Sequence, residues 1–413
     1  MADDETRPTG AGARPGGDGW LIVAQPRLGM PGLVALIILA CVLVPFSLDI
    51  YTPSVPEMPA YFHTTEALVN LTIMGFFVFY AVGLLLFGPV SDRMGRKPVL
   101  VVGIAAYIAG SALCAAAPTI GVLIGARVVQ ALGAGAVNAV AMALVKDCFA
   151  PARRGALLAV VQVLSVVGPV LAPLLGGIII QFTTWRAIFW VLAALGGLCL
   201  AGALLFRESL PAAERVDGGV LRSLGGLVRV ARQRRFMAVL TVAALFNVPF
   251  MAYIAVGSYI YVDFFGQTQQ VYTYFFAATA GFATLGPVLH LRFGGGLSPW
   301  RFTYVLLVVG LVAGVALLAI GEASVWLFAA LMVVFATVES TVRPYTTDLL
   351  LSLCQGDTGA ASSLINFLTT GLGAVGMALV MLPFPTFVAG VGAITVGSMA
   401  VALPLWALAC RMR

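Results

Sequence analysis

The sequence predicts an all-α polytopic membrane protein with 12 transmembrane helices in two pseudo-symmetric six-helix bundles. Three observations support this fold class: the composition, the serial apolar runs and one long polar segment in the middle of the chain. Of 413 residues, 61% are hydrophobic and 10% are charged, whereas about a quarter of the residues in a soluble domain are charged. The composition therefore excludes an ordinary soluble enzyme.

Apolar runs recur along the chain, each of about 20 residues, the length that crosses a hydrocarbon core about 30 Å thick as a helix. The first six spans are predicted near residues 31–56, 69–90, 98–117, 119–146, 155–180 and 187–206. The last six are predicted near 236–264, 271–291, 302–320, 324–350, 359–382 and 386–410.

A polar segment divides these spans six and six. Residues 207–235 hold seven basic residues and are predicted to form a cytoplasmic linker between bundles at 29–206 and 236–413. Residues 1–28 are rich in Gly, Pro and polar residues, and they are predicted to form a disordered cytoplasmic tail.

A weak internal repeat supports the division. Gly88-Pro89-Val90 ends the second span and Gly286-Pro287-Val288 ends the eighth, 198 residues later. The same offset relates Asp49 in the first span to Asn247 in the seventh. Repeated halves of this kind are typical of transporters that carry their substrate site between the halves, near the middle of the membrane.

The basic residues predict the orientation. With the N-terminus inside, Arg186 is the one Lys or Arg that falls in an outer loop. The positive-inside rule then places both termini in the cytoplasm. The net charge of +6 is a topology signal, and no nucleic-acid partner is expected.

The loop between the second and third spans carries the most specific motif, Gly88-Pro-Val-Ser-Asp-Arg-Met-Gly-Arg-Lys-Pro-Val-Leu100. It resembles the signature loop of the major facilitator superfamily, which implies the major facilitator fold. In that family the loop latches the two halves in one state, and an acidic residue that ends the fourth span joins it. The resemblance implies a latch made of Gly88, Asp92, Arg93, Gly95, Arg96 and Asp147. At the corresponding place in the second half, His290, Leu291, Arg292 and Gly294 to Gly296 depart from the motif.

Two further segments resemble the Bcr/CflA drug-resistance transporters within that superfamily. Residues 48–56 (LDIYTPSVP) resemble their first span, with Thr52 where Leu is usual. Residues 168–177 (GPVLAPLLGG) resemble the fifth-span motif of drug:proton antiporters. In the antiporters this helix seals the outer side, a role that the resemblance implies here for Gly168, Pro169, Pro173, Gly176 and Gly177. The alternative is close helix packing without a gating role.

Asp49 is the one carboxylate of the first half that lies within an apolar span and away from its ends. A low-dielectric surrounding disfavours the ionised form, so that such a group can bind and release a proton near neutral pH. Asp49 is therefore the first candidate for proton coupling. The alternative is a structural carboxylate that caps or braces the helix before Pro53 and Pro56.

Arg127 begins a polar stripe in the fourth span. Gln130, Ala134 and Asn138 follow at helical spacing on the same face. In the family an arginine at this position takes part in proton coupling, although Ala131 here replaces a Gly that many members have. Arg127 and Asp49 are predicted to share a depth. A snorkelling or structural arginine is the alternative.

Polar and aromatic residues of both halves are predicted to line a substrate cavity: Tyr51, Gln130, Asn138, Asn247 and Tyr253. Flat apolar surfaces with occasional hydroxyl groups suit varied lipophilic compounds. In the tenth span, Glu339 and Arg343 are four residues apart and satisfy each other in the simplest interpretation.

These features predict a non-enzymatic, proton-coupled antiporter that exports small amphipathic drugs of the chloramphenicol or bicyclomycin type, as the family resemblance implies. It is expected to work as a monomer in the bacterial cytoplasmic membrane, with protons and drug as partners and no cofactor or metal. A metabolite transporter of the same fold and a non-transporting membrane sensor remain alternatives. The absence of a Gly-rich Lys-Ser/Thr nucleotide loop argues against an ATP-driven pump.

The orientation can be tested with reporter fusions. A phosphatase fused near Glu57 is expected to be active and one fused near Arg235 inactive, because phosphatase folds only outside the cytoplasm. The opposite pattern would contradict the predicted topology.

Overall fold

The computed structural model describes residues 21–212, 215, 228–286, 298–354 and 358–412. Within these residues twelve helices of 15 residues or more carry the fold, which confirms the predicted class. They are α1 (Gly29–Asp49), α2 (Glu66–Met94), α3 (Arg96–Ala116), α4 (Ile120–Cys148), α5 (Pro151–Phe182), α6 (Trp185–Leu205), α7 (Arg234–Tyr259), α8 (Gln269–Ala283), α9 (Pro299–Ile320), α10 (Val325–Leu353), α11 (Thr358–Leu379) and α12 (Phe387–Arg411). Within the described residues, ten helices are long and apolar enough to cross a membrane.

The first span differs from its predicted extent. Helix α1 ends at Asp49, and a 3-10 turn at Thr52–Glu57 and a short helix at Met58–Phe62 follow it. The physical reason is that Pro53 and Pro56 lack the amide hydrogens that would continue the helical hydrogen-bond ladder. Asp49 therefore lies at a break in the backbone.

The structure describes the last eight residues of the predicted tail, 21–28. Residues 1–20 lie outside the described residues, but residues 21–28 contact the bundle. The amide side chain of Gln25 pairs with the backbone of Arg207, with Nε2 donating to the Arg207 carbonyl at 3.0 Å and Oε1 accepting from its N–H at 2.8 Å. The Ile22 N–H donates to the Cys148 carbonyl at 2.8 Å. These polar contacts tie Ile22 and Gln25 to the first half, and the tail boundary at residue 28 stays a prediction.

Each half is held together by close packing of its helices. In the first half, α2 and α3 pack on α4, and α1 packs on α4, α5 and α6. In the second half, α7 packs on α11 and α12, and α9 packs on α10 and α12. The halves meet chiefly along α2 with α11 and α5 with α8.

The two halves repeat one close helix crossing. A Cβ atom on Gly176 of α5 would lie 2.0 Å from the Ile50 carbonyl oxygen just after α1, and one on Gly376 of α11 would lie 2.0 Å from the Val248 carbonyl oxygen of α7. Positions 50 and 248 have the offset of 198 seen in the sequence repeat. The repeat therefore reflects the same backbone packing in both halves.

Three hydrogen bonds of the described residues join the halves at the end predicted to be outer. Asn70 Nδ2 donates to the Met377 carbonyl at 2.7 Å, and Gln269 Nε2 donates to Glu57 Oε1 at 2.8 Å. The Tyr259 hydroxyl approaches the Val55 carbonyl at 3.4 Å. The halves are thus closed against each other at this end.

The glycine crossings can be tested by stability. Gly176→Ala and Gly376→Ala are each expected to destabilise the protein by about 1–3 kcal/mol, because the new methyl group meets a backbone carbonyl that cannot move aside. Gly125→Ala and Gly197→Ala are the controls, since a Cβ there meets nothing within 4 Å. Thermal unfolding in detergent measures the difference, and equal melting temperatures in all four variants would contradict the account.

Candidate functional site

Arg127 lies at the centre of the first half and is 0% exposed. Its Nη1 donates to the Ser47 carbonyl of α1 at 2.9 Å and to Gln130 Oε1 at 2.8 Å. Its Nε approaches the Thr72 carbonyl of α2 at 3.4 Å. One side chain from α4 therefore ties α1 and α2 together.

Aromatic rings surround the same guanidinium group. Its central carbon lies 4.4 Å from the ring centroid of Phe76, 5.4 Å from that of Tyr51 and 5.8 Å from that of Phe189. A desolvated cation–π contact contributes about 2 kcal/mol. Among the described residues no ion pair includes Arg127, so carbonyl dipoles and ring faces compensate its charge.

The polar cluster around Arg127 continues into α3. Gln130 Nε2 donates to Ser111 Oγ at 2.8 Å, and the hydroxyl groups of Ser47 and Tyr107 are 2.7 Å apart. The sequence analysis did not identify Ser47, Tyr107 or Ser111. The contact of Arg127 with Ser47 involves the backbone carbonyl of Ser47 and not its side chain. No pattern of side chains in the sequence could have revealed this contact.

Asp49 is the last residue of α1 and is 5% exposed. Its backbone carbonyl accepts from Thr52 Oγ1 at 2.8 Å. Its carboxylate forms no ion pair with the described residues. The 3-10 turn that follows it, Thr52–Glu57, packs on α7 and α8 of the second half. Asp49 is thus buried between the halves without a cation.

Arg127 and Asp49 are joined through the backbone of α1. Arg127 binds the carbonyl of Ser47, two residues before Asp49. The described residues form no ion pair between the Arg127 guanidinium group and the Asp49 carboxylate. The part of Arg127 in proton coupling stays a prediction. In this conformation Arg127 fixes the end of α1 that presents Asp49.

Helix α5 packs between α1 and α8 through its small residues. A Cβ on Gly168 would lie 3.0 Å from Pro45 of α1, and one on Gly177 would lie 2.9 Å from Thr273 Oγ1 of α8. Gly176 contacts Ile50, directly after Asp49. Pro173 is buried, and the side chain of Pro169 lies outside the described residues. The motif residues therefore surround the place where Asp49 meets the second half.

The predicted cavity residues fall into three places. Tyr51 and Gln130 are buried beside Arg127. Asn247 is buried and donates to the Thr369 carbonyl at 2.9 Å, and Tyr253 is buried and stacked on Phe276 with ring centroids 6.0 Å apart. Asn138 is half-buried and donates to the Tyr80 hydroxyl at 2.7 Å. In this conformation the structure brings the five residues to no single surface, and cavity lining stays a prediction.

The loop between α2 and α3 holds an ion-pair network around Arg96. Its Nη1 lies 2.6 Å from Asp92 Oδ1 and donates to Ser91 Oγ at 2.6 Å, and its Nε lies 2.8 Å from Asp147 Oδ2 at the end of α4. Arg93 is exposed. A Cβ on Gly88 would meet nothing within 4 Å. In this state the network lies within the first half.

Glu208 completes this network and was missed in the sequence analysis. Its carboxylate accepts from the backbone N–H groups of Arg96 at 2.9 Å and Lys97 at 3.0 Å, and so caps the N-terminus of α3, where negative charge is favourable. Gly95 has φ +100°, and a Cβ there would lie 2.5 Å from Glu208 Oε2. The first residues of the linker are thus hydrogen-bonded, through Glu208, to the start of α3. The corresponding residues of the second half, His290 to Gly296, lie outside the described residues.

This fold and these motifs agree with a family match. The model of the Major Facilitator Superfamily matches residues 37–378, and the chain belongs to that family. It is therefore a multi-pass membrane transporter.

Two curated relatives are each 28% identical to the chain. The alignment with an uncharacterized MFS-type transporter, YdgK of Bacillus subtilis, extends over 85% of this chain and 88% of that protein. The alignment with the multidrug resistance protein MdtL of Escherichia coli extends over 58% of this chain and 60% of MdtL. The matched region therefore spans less than two thirds of MdtL.

Solved structures share the fold at low sequence identity. The peptide transporter POT in complex with sulfate superposes with a TM-score of 0.75 at 16% identity, covering 94% of this chain and 96% of that one. The D-xylose-proton symporter superposes with a TM-score of 0.71 at 13% identity, covering 91% and 97%. These likenesses confirm the fold.

The network around Arg96 can be tested by removing one charge. Asp92→Asn is expected to insert and fold normally, since a pair with a carboxylate 44% exposed contributes at most about 1 kcal/mol. Its transport rate is expected to fall several-fold, because the ion pairs that distinguish two conformations are weakened. Initial rates in reconstituted vesicles measure the effect, with Asp263→Asn, an exposed carboxylate elsewhere, as the control. An unchanged rate for Asp92→Asn would contradict a switching role.

Proposed function

We propose that this transporter is a proton-driven antiporter of the Bcr/CflA drug-resistance type that exports small amphipathic compounds, including antibiotics, from bacteria. It works by alternating access in the cytoplasmic membrane, as a monomer with both termini in the cytoplasm. The observation that carries the proposal is the burial of Asp49 at the junction of the two halves, with no cation paired to it among the described residues. The name of the relative MdtL, a multidrug resistance protein, supports the substrate class.

The burial of Asp49 supports its role in proton binding. An ionised carboxylate without a counter-ion is costly in a low-dielectric interior, whereas its neutral form costs far less. In the closed arrangement the 3-10 turn that follows Asp49, Thr52–Glu57, packs on α7 and α8 of the second half. A proton on Asp49 therefore stabilises the conformation that is closed at the outer end.

The direction of coupling follows from the two states. Opening to the acidic exterior protonates Asp49, and the neutral side chain lets the outer ends of the halves close. Opening to the cytoplasm lets drug binding favour proton loss. The ionised carboxylate then disfavours closure at the outer end, so that the loaded protein reopens outward and releases the drug. Each cycle exports a drug molecule and admits a proton.

Arg127 acts in this mechanism as a positioning residue. Its bond to the Ser47 carbonyl holds the end of α1, and its contacts with Gln130 and Thr72 hold the arginine. When α1 moves, these bonds change the position of Asp49 relative to α8. Arg127 thus modulates proton affinity through geometry.

Helix α5 transmits the change between the halves. Gly176 contacts the backbone directly after Asp49, and Gly177 contacts Thr273 of α8, the residue after Tyr272. A shift at the end of α1 therefore displaces α5 or α8, since side-chain rearrangement cannot relieve contact with a backbone carbonyl. This arrangement supports the sealing role proposed for the helix.

The coupling proposal can be tested with Asp49→Asn, which keeps the shape of the side chain and removes its titration. The variant is expected to exchange a neutral drug such as chloramphenicol between vesicle interior and medium, yet to fail to concentrate it when a pH gradient is imposed. Drug accumulation in reconstituted vesicles measures this. Asp263→Asn, the matched control, is expected to accumulate the drug like the wild type. Undiminished accumulation by Asp49→Asn would overturn the assignment.

A further inference from the structure

The segment just before α1 is fastened to the end of α4, far away in the sequence. The backbones of Leu21 and Phe149 pair in an isolated antiparallel bridge. The Ile22 N–H donates to the Cys148 carbonyl at 2.8 Å. Both contacts lie at the end of the first half that is predicted to be cytoplasmic, and they give the segment its first anchor.

Gln25 gives the same segment a second anchor at the start of the linker. The residue is 4% exposed, and its amide group pairs with both backbone groups of Arg207. Nε2 donates to the carbonyl at 3.0 Å, and Oε1 accepts from the N–H at 2.8 Å. A buried amide that is paired on both sides resists displacement, because the loss of either bond leaves a buried polar group unsatisfied. Gln25 therefore holds the backbone of Arg207 in one position.

The next residue of the linker is Glu208, which caps α3. Its carboxylate accepts from the N–H groups of Arg96 at 2.9 Å and Lys97 at 3.0 Å. It also accepts from the N–H of Ser209 at 2.9 Å. This local bond orients the carboxylate relative to its own backbone, whereas the pairing with Gln25 fixes that backbone against the rest of the first half. The position of the cap thus depends on both.

These contacts close a ring around the network of Arg96. Arg96 pairs with Asp147 at 2.8 Å, and Cys148, the next residue of α4, accepts from Ile22. The ring runs from the segment before α1 through the end of α4 and the start of α3 to the start of the linker, and it returns through Gln25. Because each contact of a ring limits the movement of the others, loss of the Gln25 pairing loosens the side formed by the linker.

We propose that Gln25 is a positioning residue of the latch and that residues 21–25 form part of it. This inference rests on the proposed transport by alternating access, in which the network of Arg96 distinguishes two conformations. It adds the segment before α1 to that network. Gln25 keeps Glu208 on the N-terminus of α3, and the capped helix presents Arg96 to its two carboxylate partners.

Hydrogen exchange at the start of α3 tests the proposal directly. The N–H groups of Arg96 and Lys97 both donate to Glu208, so their exchange rates report whether the cap is in place. Gln25→Met keeps the length of the side chain and removes both hydrogen bonds to Arg207. It is expected to raise these exchange rates about threefold or more. The full chain in detergent is used, with mass spectrometry as the readout.

Further variants show whether the effect passes through the cap. Glu208→Ala removes the cap itself, and adding Gln25→Met to it should raise the exchange rates no further, because both changes act on one contact. Ile22→Pro removes the donor at the other anchor and should change the rates in the same direction. Gln181→Met, at an exposed glutamine near the outer end of α5, should leave them at the wild-type value.

Transport separates a positioning role from a general loss of stability. In reconstituted vesicles, Gln25→Met is expected to lower the maximal rate of chloramphenicol transport several-fold and to leave KM unchanged, because conformational switching is slowed and drug binding is not. The double variant with Asp92→Asn should be no slower than Asp92→Asn alone, since both changes weaken one network.

The outcomes also distinguish this proposal from drug export. Unchanged exchange rates in Gln25→Met, a further rise when it is added to Glu208→Ala, or a transport loss that multiplies with that of Asp92→Asn would overturn the role of Gln25. If the exchange rates respond as expected and the protein does not transport chloramphenicol, the drug-export proposal fails and the place of Gln25 in the latch stands.

Discussion

The cost of burying charge inside an apolar bundle is the constraint on which the rest of this structure depends. Arg127 and Asp49 are both almost completely buried, and the described residues form no ion pair with either. Arg127 is compensated by the carbonyl of Ser47, the amide oxygen of Gln130 and three aromatic rings. Among the described residues, the Asp49 carboxylate has no comparable set of compensating partners. A proton is the simplest way to make its burial inexpensive, which is why its place between the halves suits a coupling group.

The small residues of α5 make that burial possible. The approach of Gly176 to the Ile50 carbonyl leaves no room for a side chain beside Asp49. The second half repeats the crossing with Gly376 and Val248, yet it places Asn247 where the first half has Asp49. Asn247 is neutral and donates to the Thr369 carbonyl. The repeat therefore keeps the helix packing inside each half but not the titratable group. In the proposed mechanism the first half is therefore the half that responds to protons.

The sequence predicted the twelve helices because each span must satisfy its own backbone hydrogen bonds in lipid and so leaves a long apolar run. The resemblance of the loop motif also predicted that Asp92, Arg96 and Asp147 belong to one network. Arg96 forms ion pairs with both carboxylates. The sequence did not predict Glu208, whose role depends on the linker folding back onto the N-terminus of α3. It also missed the shell of Arg127, because backbone carbonyls carry no sequence signal. The break after Asp49 was not predicted, although Pro53 and Pro56 indicated where the helix would end.

The central claim is that the proton on Asp49 controls closure of the outer end, and the separation of the halves there tests it most directly. Spin labels at Leu68 and Leu382, exposed positions at the outer ends of the two halves, report that distance by double electron–electron resonance. The account predicts that lowering the pH shifts the wild type toward the short distance, and that the distance distribution of Asp49→Asn is weighted toward the short distance and does not change with pH. A wild-type distance that does not depend on pH, or an equal pH response in Asp49→Asn, would contradict it.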